Sequence, residues 1–269
     1  LSQLNPRLIC ANITGYGRKG PDRDAPAYGQ LAGDARSGLL HSLQFAGSPP
    51  PQTSGTMTDF MTSLALACGI TTALFIRERT GVGQEVDVSL FNTMVFALSG
   101  DIATTIVTKQ TRQSLDRMKR GSAVGNSYQT KDGRWLLIGL GPQADLYWAR
   151  LCRSIEREDL ENDSRFASTV ARAENYAALL DIMDEVFLGK TLDEWKARLN
   201  EGGLPWAPLH DYSEVLKDPQ ARANDFFIPF DDPAYGQVDL VANPIRLSKT
   251  PEIVRMGASA FGQHTDEIL

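Results

Sequence analysis

The stretch that decides the fold is TDFMTSLALACGITTALFIRERTGVGQEVDVSL, residues 58–90. Residues 60–79 are apolar on most faces, which is typical of a helix that is packed on several sides. This predicted helix stops at Gly81 and carries two arginines in its last turn, where cations complement the helix dipole. Residues 83–90 then alternate polar and apolar side chains, which predicts a strand.

Strands and helices also alternate on both sides of this stretch. Residues 8–14 form a short apolar run that predicts a buried parallel strand, and residues 17–26 with two prolines predict a loop. Helices are predicted within residues 28–40, ending near Gly38, and over residues 91–106. This alternation predicts an α/β architecture for the first part of the chain.

The second part begins with a hairpin signal. Residues 126–130 and 134–140 flank Lys131-Asp-Gly133, and Asp-Gly supplies the positive φ angles of a tight turn. Thr191 and Glu194 form a predicted capping box at a helix start. Further elements are predicted as helices over 145–155, 173–188 and 192–200 and as short extended pieces around 236–240 and 245–248.

The domain organisation follows from these patterns. Residues 109–120 are basic and weakly patterned, as is typical of a crossing between domains. We therefore predict three segments: the first part of a large α/β domain over 1–109, a small α+β domain over 110–215, and a C-terminal return to the large domain over 216–269.

Composition excludes several classes of function. The 269 residues carry a net charge of −6, whereas nucleic-acid binding requires clustered Lys and Arg. Three cysteines lie far apart without metal-ligand spacing, so we predict no metal site and a reducing, cytoplasmic location. Residues 60–76 are membrane-like, but their interrupted apolar span falls short of the ~20 residues that a bilayer requires. We expect no membrane partner.

A glycine motif follows the first predicted strand. Gly15, Gly17 and Gly20 fit the dinucleotide fingerprint G-x-G-x-x-G, so a nucleotide-dependent oxidoreductase is one hypothesis. A true fingerprint opens a helix whose N-terminus faces the pyrophosphate. Pro21 and the Asp-Arg-Asp run after it break the chain there, which favours a flexible loop.

Asp59 is the candidate with the clearest chemistry. It follows a loop rich in glycine, proline and serine and precedes the long apolar helix, so the helix dipole and free N–H groups keep its carboxylate ionised. We expect this carboxylate to be unpaired at a buried helix entrance. An ionised carboxylate is an apt nucleophile for acyl transfer from thioesters. From position alone, however, the capping role that aspartate commonly has is favoured.

Several motifs resemble family III CoA-transferases, the group that contains formyl-CoA transferase and carnitine CoA-transferase. The most specific is the block from Asp59 to Leu90, in which an Asp stands at a fixed distance before a T-G-x-G-Q turn. The other matching motifs are Asn5-Pro-Arg-Leu-Ile, Ile13-Thr-Gly-Tyr-Gly, Gly20-Pro, Ser37-Gly-Leu, Pro49-Pro-Pro, Lys131-Asp-Gly-Arg-Trp135, Leu204-Pro-Trp-Ala-Pro208 and Gly262-Gln-His-Thr.

The resemblance implies roles for three residues. Asp59 would be the nucleophile, carrying first an acyl anhydride and then a CoA thioester. Tyr28 would line the acyl pocket, although its spacing to Gly38 differs by one residue from the family pattern, and Leu90 would lie near the CoA arm. Core packing is the alternative for Tyr28 and Leu90.

The resemblance also implies partners and an architecture. Coenzyme A thioester and a small carboxylic acid would be substrates, with no permanently bound cofactor, and the protein would be an intertwined homodimer. The large domain would be Rossmann-like with the small α+β domain inserted. Family members begin with a segment that has no counterpart in residues 1–269, so we expect the large domain to be incomplete at its N-terminus.

Two other functions compete with CoA transfer. The related 2-methylacyl-CoA racemases use a His and an Asp, because acid–base work on two faces needs two titratable groups. That His would fall among residues 27–30, where none occurs; the three histidines are His41, His210 and His264. A non-catalytic acyl-CoA-binding homologue is the third hypothesis.

Overall fold

The computed structural model describes residues 3–111, 116–117, 122–254, 257 and 259–269. The chain divides into two compact units, Leu1–Gly121 and Ser122–Leu269. The three-segment organisation proposed from sequence, with a return to the large domain after residue 215, stays a prediction. Part of the predicted crossing at residues 109–120 lies outside the described residues.

The first unit is built on two parallel strands. β1 (Cys10–Thr14) pairs with β2 (Glu85–Ser89) in the register Cys10↔Glu85 to Thr14↔Ser89, which confirms the two strands and the α/β class predicted from sequence. The elements between and after them are a π-helix (Gly29–Ala35), α1 (Leu39–Leu43), α2 (Thr56–Thr80), α3 (Leu90–Ala97) and α4 (Ser99–Thr108).

The connection before α2 differs from the predicted helix. Residues 29–35 form a π-helix rather than an α-helix, and α1 follows only after Gly38, which has a φ of 95°. A π-helix holds more residues in each turn than an α-helix, so it can absorb a single extra residue. The one-residue difference between Tyr28 and Gly38 noted in the sequence falls in this segment.

Helix α2 is longer and more exposed than the sequence pattern indicates. Its buried residues are Thr58, Thr62 and Ala73, whereas the apolar pattern predicts packing on several sides. The elements that contact it in this unit are β1, β2, α3 and the π-helix, and they leave most of its apolar surface uncovered. Among the described residues, α2 is long and apolar enough to cross a membrane, as are α3 and α4 together if their bent pair is one span, and core helices of soluble proteins pass the same test.

The second unit contains two antiparallel sheets. The predicted hairpin is confirmed: β3 (Ser127–Gln129) pairs with β4 (Trp135–Ile138), which also pairs with β5 (Trp206–Pro208). A separate pair is formed by β6 (Phe227–Asp232) and β7 (Gly236–Val241). The helices are α5 (Ala144–Ser154), α6 (Thr169–Glu174), α7 (Tyr176–Phe187), α8 (Leu192–Glu201), α9 (Tyr212–Val215), α10 (Pro219–Ala223) and α11 (Thr265–Ile268).

Three predicted elements differ in detail. The helix predicted over residues 91–106 is two helices that meet at Leu98. The helix predicted over 173–188 is interrupted at Asn175, whose Nδ2 donates to the carbonyls of Arg165 and Ala171 and so competes with helix hydrogen bonds. Residues 245–248 form no strand. The predicted capping box of α8, by contrast, is present.

Aromatic side chains fill the core of the second unit. The rings of Tyr128 and Phe187 stack with centroids 4.8 Å apart, and Trp195 meets Phe187 edge-on at 4.9 Å. Trp195 is 1% exposed, and its indole N–H donates to the Phe187 carbonyl at 2.9 Å. The three rings are therefore buried, and the polar atoms of Tyr128 and Trp195 are both hydrogen-bonded, the Tyr128 hydroxyl to the Ala123 carbonyl.

Trp195→Ala is expected to lower the free energy of unfolding by about 3–5 kcal/mol, because it leaves a cavity in this core. Urea unfolding measures the loss. Trp135→Ala is the matched control: Trp135 is 40% exposed, so its removal should cost about 1 kcal/mol or less. Equal losses for both tryptophans would contradict the assignment of Trp195 to the core.

Cys152 is expected to resist alkylation in the native protein. Burial raises the pKa of its thiol to about 12, and the thiolate is the form that reacts with iodoacetamide. Mass spectrometry at pH 8 should therefore find Cys152 unlabelled in buffer and labelled in urea. Labelling at the same rate in both conditions would show that the thiol is accessible.

Candidate active site

Asp59 lies in the first turn of α2 and does not cap it. The N-cap residue is Gly55, with a φ of 75° and no side-chain capping hydrogen bond, and the Asp59 N–H donates to the Gly55 carbonyl at 3.4 Å. The capping interpretation that position alone favoured is therefore wrong. The carboxylate still lies near the N-terminal, positive end of a 25-residue helix.

The environment of the Asp59 carboxylate is open in this chain. No described residue forms a salt bridge with it, in agreement with the unpaired carboxylate expected from the sequence. The expectation of a buried helix entrance is not met, because Asp59 is exposed and the apolar side chains beside it, Met57 and Phe60, are 49% and 72% exposed. The face of α2 around Asp59 is thus an uncovered apolar surface.

Gly29 packs closely on Asp59 from another element. A Cβ placed on Gly29 would lie 2.8 Å from Asp59 Oδ1 and 2.3 Å from the Gly55 carbonyl oxygen. Beside it, the Gln30 side-chain amide donates to the Thr53 carbonyl at 2.5 Å. The start of the π-helix therefore packs directly on the loop and first turn that present Asp59.

Tyr28 directly precedes Gly29, the residue that packs on Asp59. It is the N-cap residue of the π-helix, and its side chain is 73% exposed, which argues against the core-packing alternative. The structure thus brings Tyr28 and Asp59 to adjoining positions, one at the start of the π-helix and the other at the start of α2.

Leu90 is the first residue of α3, a helix that packs on both the π-helix and α2. It is half-buried and begins α3, directly after Ser89 at the carboxyl end of β2, and the next residue, Phe91, donates its N–H to the Gly15 carbonyl at 3.0 Å. Within the described residues, no hydrogen bond links Leu90 to Asp59 or Tyr28. Carboxyl ends of parallel strands are a common place for ligands in α/β folds.

The glycine motif near Leu90 does not form a dinucleotide site. Gly17 and Gly20 adopt φ angles of 101° and 93°, and no helix begins until the π-helix at Gly29. A dinucleotide fingerprint needs a helix N-terminus directly after the glycines, so the oxidoreductase hypothesis is wrong on geometry.

The contacts of His264 and His210 lie within the second unit. His264 bonds Glu267 and Ser259 at 3.0 and 3.1 Å, and His210 lies 3.8 Å from Asp218. At the place where a racemase would need a His, the structure has Gly29 against the carboxylate. The described residues contain no group of three His, Cys, Asp or Glu that could hold a metal ion.

Two residues of the site were missed by sequence reasoning. Asp34 and Thr58 are fully buried and hydrogen-bonded to each other, one on the π-helix and one directly before Asp59. The one-residue spacing difference before Gly38 was the only signal in the sequence near them, and it did not identify either residue.

The fold and the site define an α/β protein with an aspartate in the first turn of a long helix, and no described residue forms a salt bridge with that aspartate. The model of CoA-transferase family III matches residues 1–265. The chain belongs to CoA-transferase family III.

Individual proteins agree with the family model. The chain is 34% identical over 266 residues to "(R)-2-hydroxy-4-methylpentanoate CoA-transferase" of Clostridioides difficile, covering 98% of this chain and 65% of that protein. It is 32% identical to "Succinyl-CoA--D-citramalate CoA-transferase" of Chloroflexus aurantiacus, covering 100% and 66%. The chain thus spans slightly less than two thirds of the length of these relatives.

A solved structure shares the fold. The crystal structure of a CAIB/BAIF family protein from Brucella suis superposes with a TM-score of 0.82 at 26% identity, covering 99% of this chain and 68% of that one. The α/β fold predicted from the sequence is therefore the fold of this group of proteins.

Proposed function

We propose that the protein transfers coenzyme A from an acyl-CoA donor to a carboxylic acid, with Asp59 as the covalent nucleophile. The observation that carries the proposal is the Asp59 carboxylate itself, unpaired among the described residues and placed in the first turn of α2. The named CoA-transferases that the chain resembles over 98–100% of its length support the same reaction class.

The chemistry proceeds in two balanced halves. The Asp59 carboxylate attacks the donor thioester carbonyl and expels the CoA thiolate, which leaves an aspartyl-acyl anhydride. The thiolate then attacks the aspartyl carbonyl of the anhydride and releases the donor acid, which leaves an aspartyl-CoA thioester. The acceptor carboxylate repeats these steps in reverse order and departs as its CoA thioester, regenerating Asp59.

The backbone around Asp59 offers stabilisation for the oxyanions of these steps. The N–H groups of residues 56–58, which precede Asp59 at the start of α2, have no carbonyl partner four residues back within the helix. Donors aimed at developing negative charge are a large source of catalysis. Tyr28, exposed beside Gly29, is the candidate for the acyl pocket. Leu90, at the carboxyl end of β2, is the candidate for a contact with the CoA arm.

The remaining expectations complete the proposal. CoA thioester acts as substrate, no cofactor is held permanently, and the protein works in the cytoplasm. The uncovered apolar surface of α2 supports the homodimer, because large exposed apolar patches commonly mark protein interfaces.

The proposal is tested by product analysis with the full-length protein. Succinyl-CoA and a 2-hydroxy acid are suitable substrates, because the names of the two relatives contain them. The reaction should yield succinate and the hydroxyacyl-CoA in equal amounts, and chromatography measures both products. Hydrolysis to free CoA alone would contradict transfer. Loss of the α-proton from a 2-methylacyl-CoA in heavy water, without any acceptor acid, would support the racemase instead.

A further inference from the structure

Asp34 is a buried carboxylate for which the reaction above has no role. It lies on the π-helix and has no solvent exposure. One carboxylate oxygen accepts a hydrogen bond from Thr58 Oγ1 at 2.5 Å, and the other accepts one from Thr53 Oγ1. Burying a carboxylate costs free energy unless hydrogen bonds compensate it, so this pair of hydroxyls is what makes the position tolerable.

The two hydroxyls belong to residues on either side of Gly55, the N-cap residue of the helix that carries Asp59. Thr53 precedes the N-cap residue Gly55, and Thr58, which is also fully buried, is the residue directly before Asp59. The Asp34 side chain is therefore hydrogen-bonded both to the loop before α2, at Thr53, and to the first turn of α2, at Thr58. We call the set Asp34, Thr53 and Thr58 the clamp.

Gly33 allows the π-helix to lie close enough to α2 for the clamp to form. A Cβ on Gly33 would lie 2.3 Å from the Oγ1 and Cγ2 atoms of Thr58, so only glycine allows the π-helix this close to α2. The segment in which the spacing to Gly38 differs by one residue from the family pattern is this π-helix, and π-turns are frequent at functional sites.

We propose that Asp34 is a positioning residue that sets the orientation of the Asp59 carboxylate through Thr58. This rests on the proposed function of Asp59. Asp34 reaches no substrate itself, since it is fully buried. Its effect arises because a small displacement of a reacting group from its productive geometry lowers the rate strongly.

Two measurements on the full-length protein test this proposal. One is the rate of Asp59 acylation in a single turnover, and the other is steady-state kinetics, which gives kcat and KM. Asp34→Ala and Thr58→Val each break the clamp and should lower the acylation rate and kcat by roughly 10–100-fold, with KM for acyl-CoA little changed. The double variant should be no slower than Asp34→Ala alone, because Asp34→Ala already removes the hydrogen bond that Thr58→Val removes.

Conservative variants separate positioning from general packing. Thr58→Ser keeps the hydroxyl and Asp34→Asn keeps a hydrogen-bonding group of the same shape, so both should recover most of the acylation rate. Thr62→Val is the matched control: Thr62 is a buried threonine one turn further along α2, whose hydroxyl bonds the Thr58 carbonyl at 2.8 Å and not Asp34. It should keep the wild-type rate.

The outcomes distinguish this proposal from the function of Asp59. Rates are expressed per folded molecule, with the folded fraction taken from thermal unfolding. If Asp59→Asn is inactive while Asp34→Ala and Thr58→Val acylate at the wild-type rate, the clamp is overturned and the nucleophile stands. A slowing of Thr62→Val equal to that of Thr58→Val would also overturn it. If Asp59→Asn still transfers CoA, the proposed role of Asp59 as nucleophile is excluded, and the role of Asp34 that rests on it is excluded as well.

Discussion

The Asp59→Asn variant is expected to lose CoA transfer by a factor on the order of 10³ or more, as commonly follows removal of a catalytic nucleophile. The amide has nearly the same shape as the carboxylate but cannot form the anhydride. Because α2 begins at Thr56 with Gly55 as its N-cap, no capping bond is lost, and the fold should be unaffected. Steady-state transfer rates measure the effect, with circular dichroism to check folding.

Two further variants control this experiment. Asp59→Ala excludes activity restored by deamidation of the amide. Asp24→Asn alters another exposed aspartate of the first unit, one that pairs only with its neighbour Arg23 at 2.9 Å among the described residues, and it should retain full activity. Transfer by both Asp59 variants at more than about a tenth of the wild-type rate would exclude covalent catalysis by this residue.

The Gly29→Ala variant is expected to lower kcat by roughly 100-fold, the order of loss that a displacement of about 1 Å can cause. Its new methyl group would lie 2.3 Å from the Gly55 carbonyl oxygen and 2.8 Å from Asp59 Oδ1. The first contact is with backbone, so either the π-helix or the start of α2 must shift. Unfolding should also become easier, by about 1–3 kcal/mol for overpacking of this kind.

Gly100 supplies the matched glycine. It lies in α4, and a Cβ there would meet nothing within 4 Å, so Gly100→Ala should leave activity unchanged and slightly favour the helix. Wild-type kcat and stability in Gly29→Ala would show that the close approach of Gly29 to Asp59 is absent in the working enzyme.

Local patterns in the sequence predicted the elements that depend on local physics. The strand before Gly15, the long helix after Asp59, the hairpin at Asp132-Gly133 and the capping box at Thr191 each have a signature within a few residues, and each is present. Asp59 was predicted as the candidate nucleophile from the family motif, because its position alone favoured a capping role.

Features that depend on distant residues were not predictable in the same way. Gly29 and Asp59 are 30 positions apart, and their contact exists only once the π-helix has packed on α2. Asp34 reads as an ordinary polar residue in the sequence, yet its burial and its two threonine partners place it among the most constrained groups of the first unit.

The exposure of α2 has a similar origin. An apolar pattern predicts that a helix is covered, but it does not say what covers it. In the first unit the buried residues of α2 are Thr58, Thr62 and Ala73. The apolar residues around Asp59, including Phe60 at 72% exposure, are therefore uncovered in this chain.

Trapping the covalent intermediate tests the role of Asp59 most directly. The full-length protein is incubated with an acyl-CoA that it accepts, quenched with hydroxylamine and digested, and the peptide containing Asp59 is sequenced by mass spectrometry. If Asp59 is the nucleophile, its side chain carries a hydroxamate that depends on acyl-CoA and is missing in Asp59→Ala. A hydroxamate on another residue, or none under conditions where transfer proceeds, would rule out Asp59 as the nucleophile.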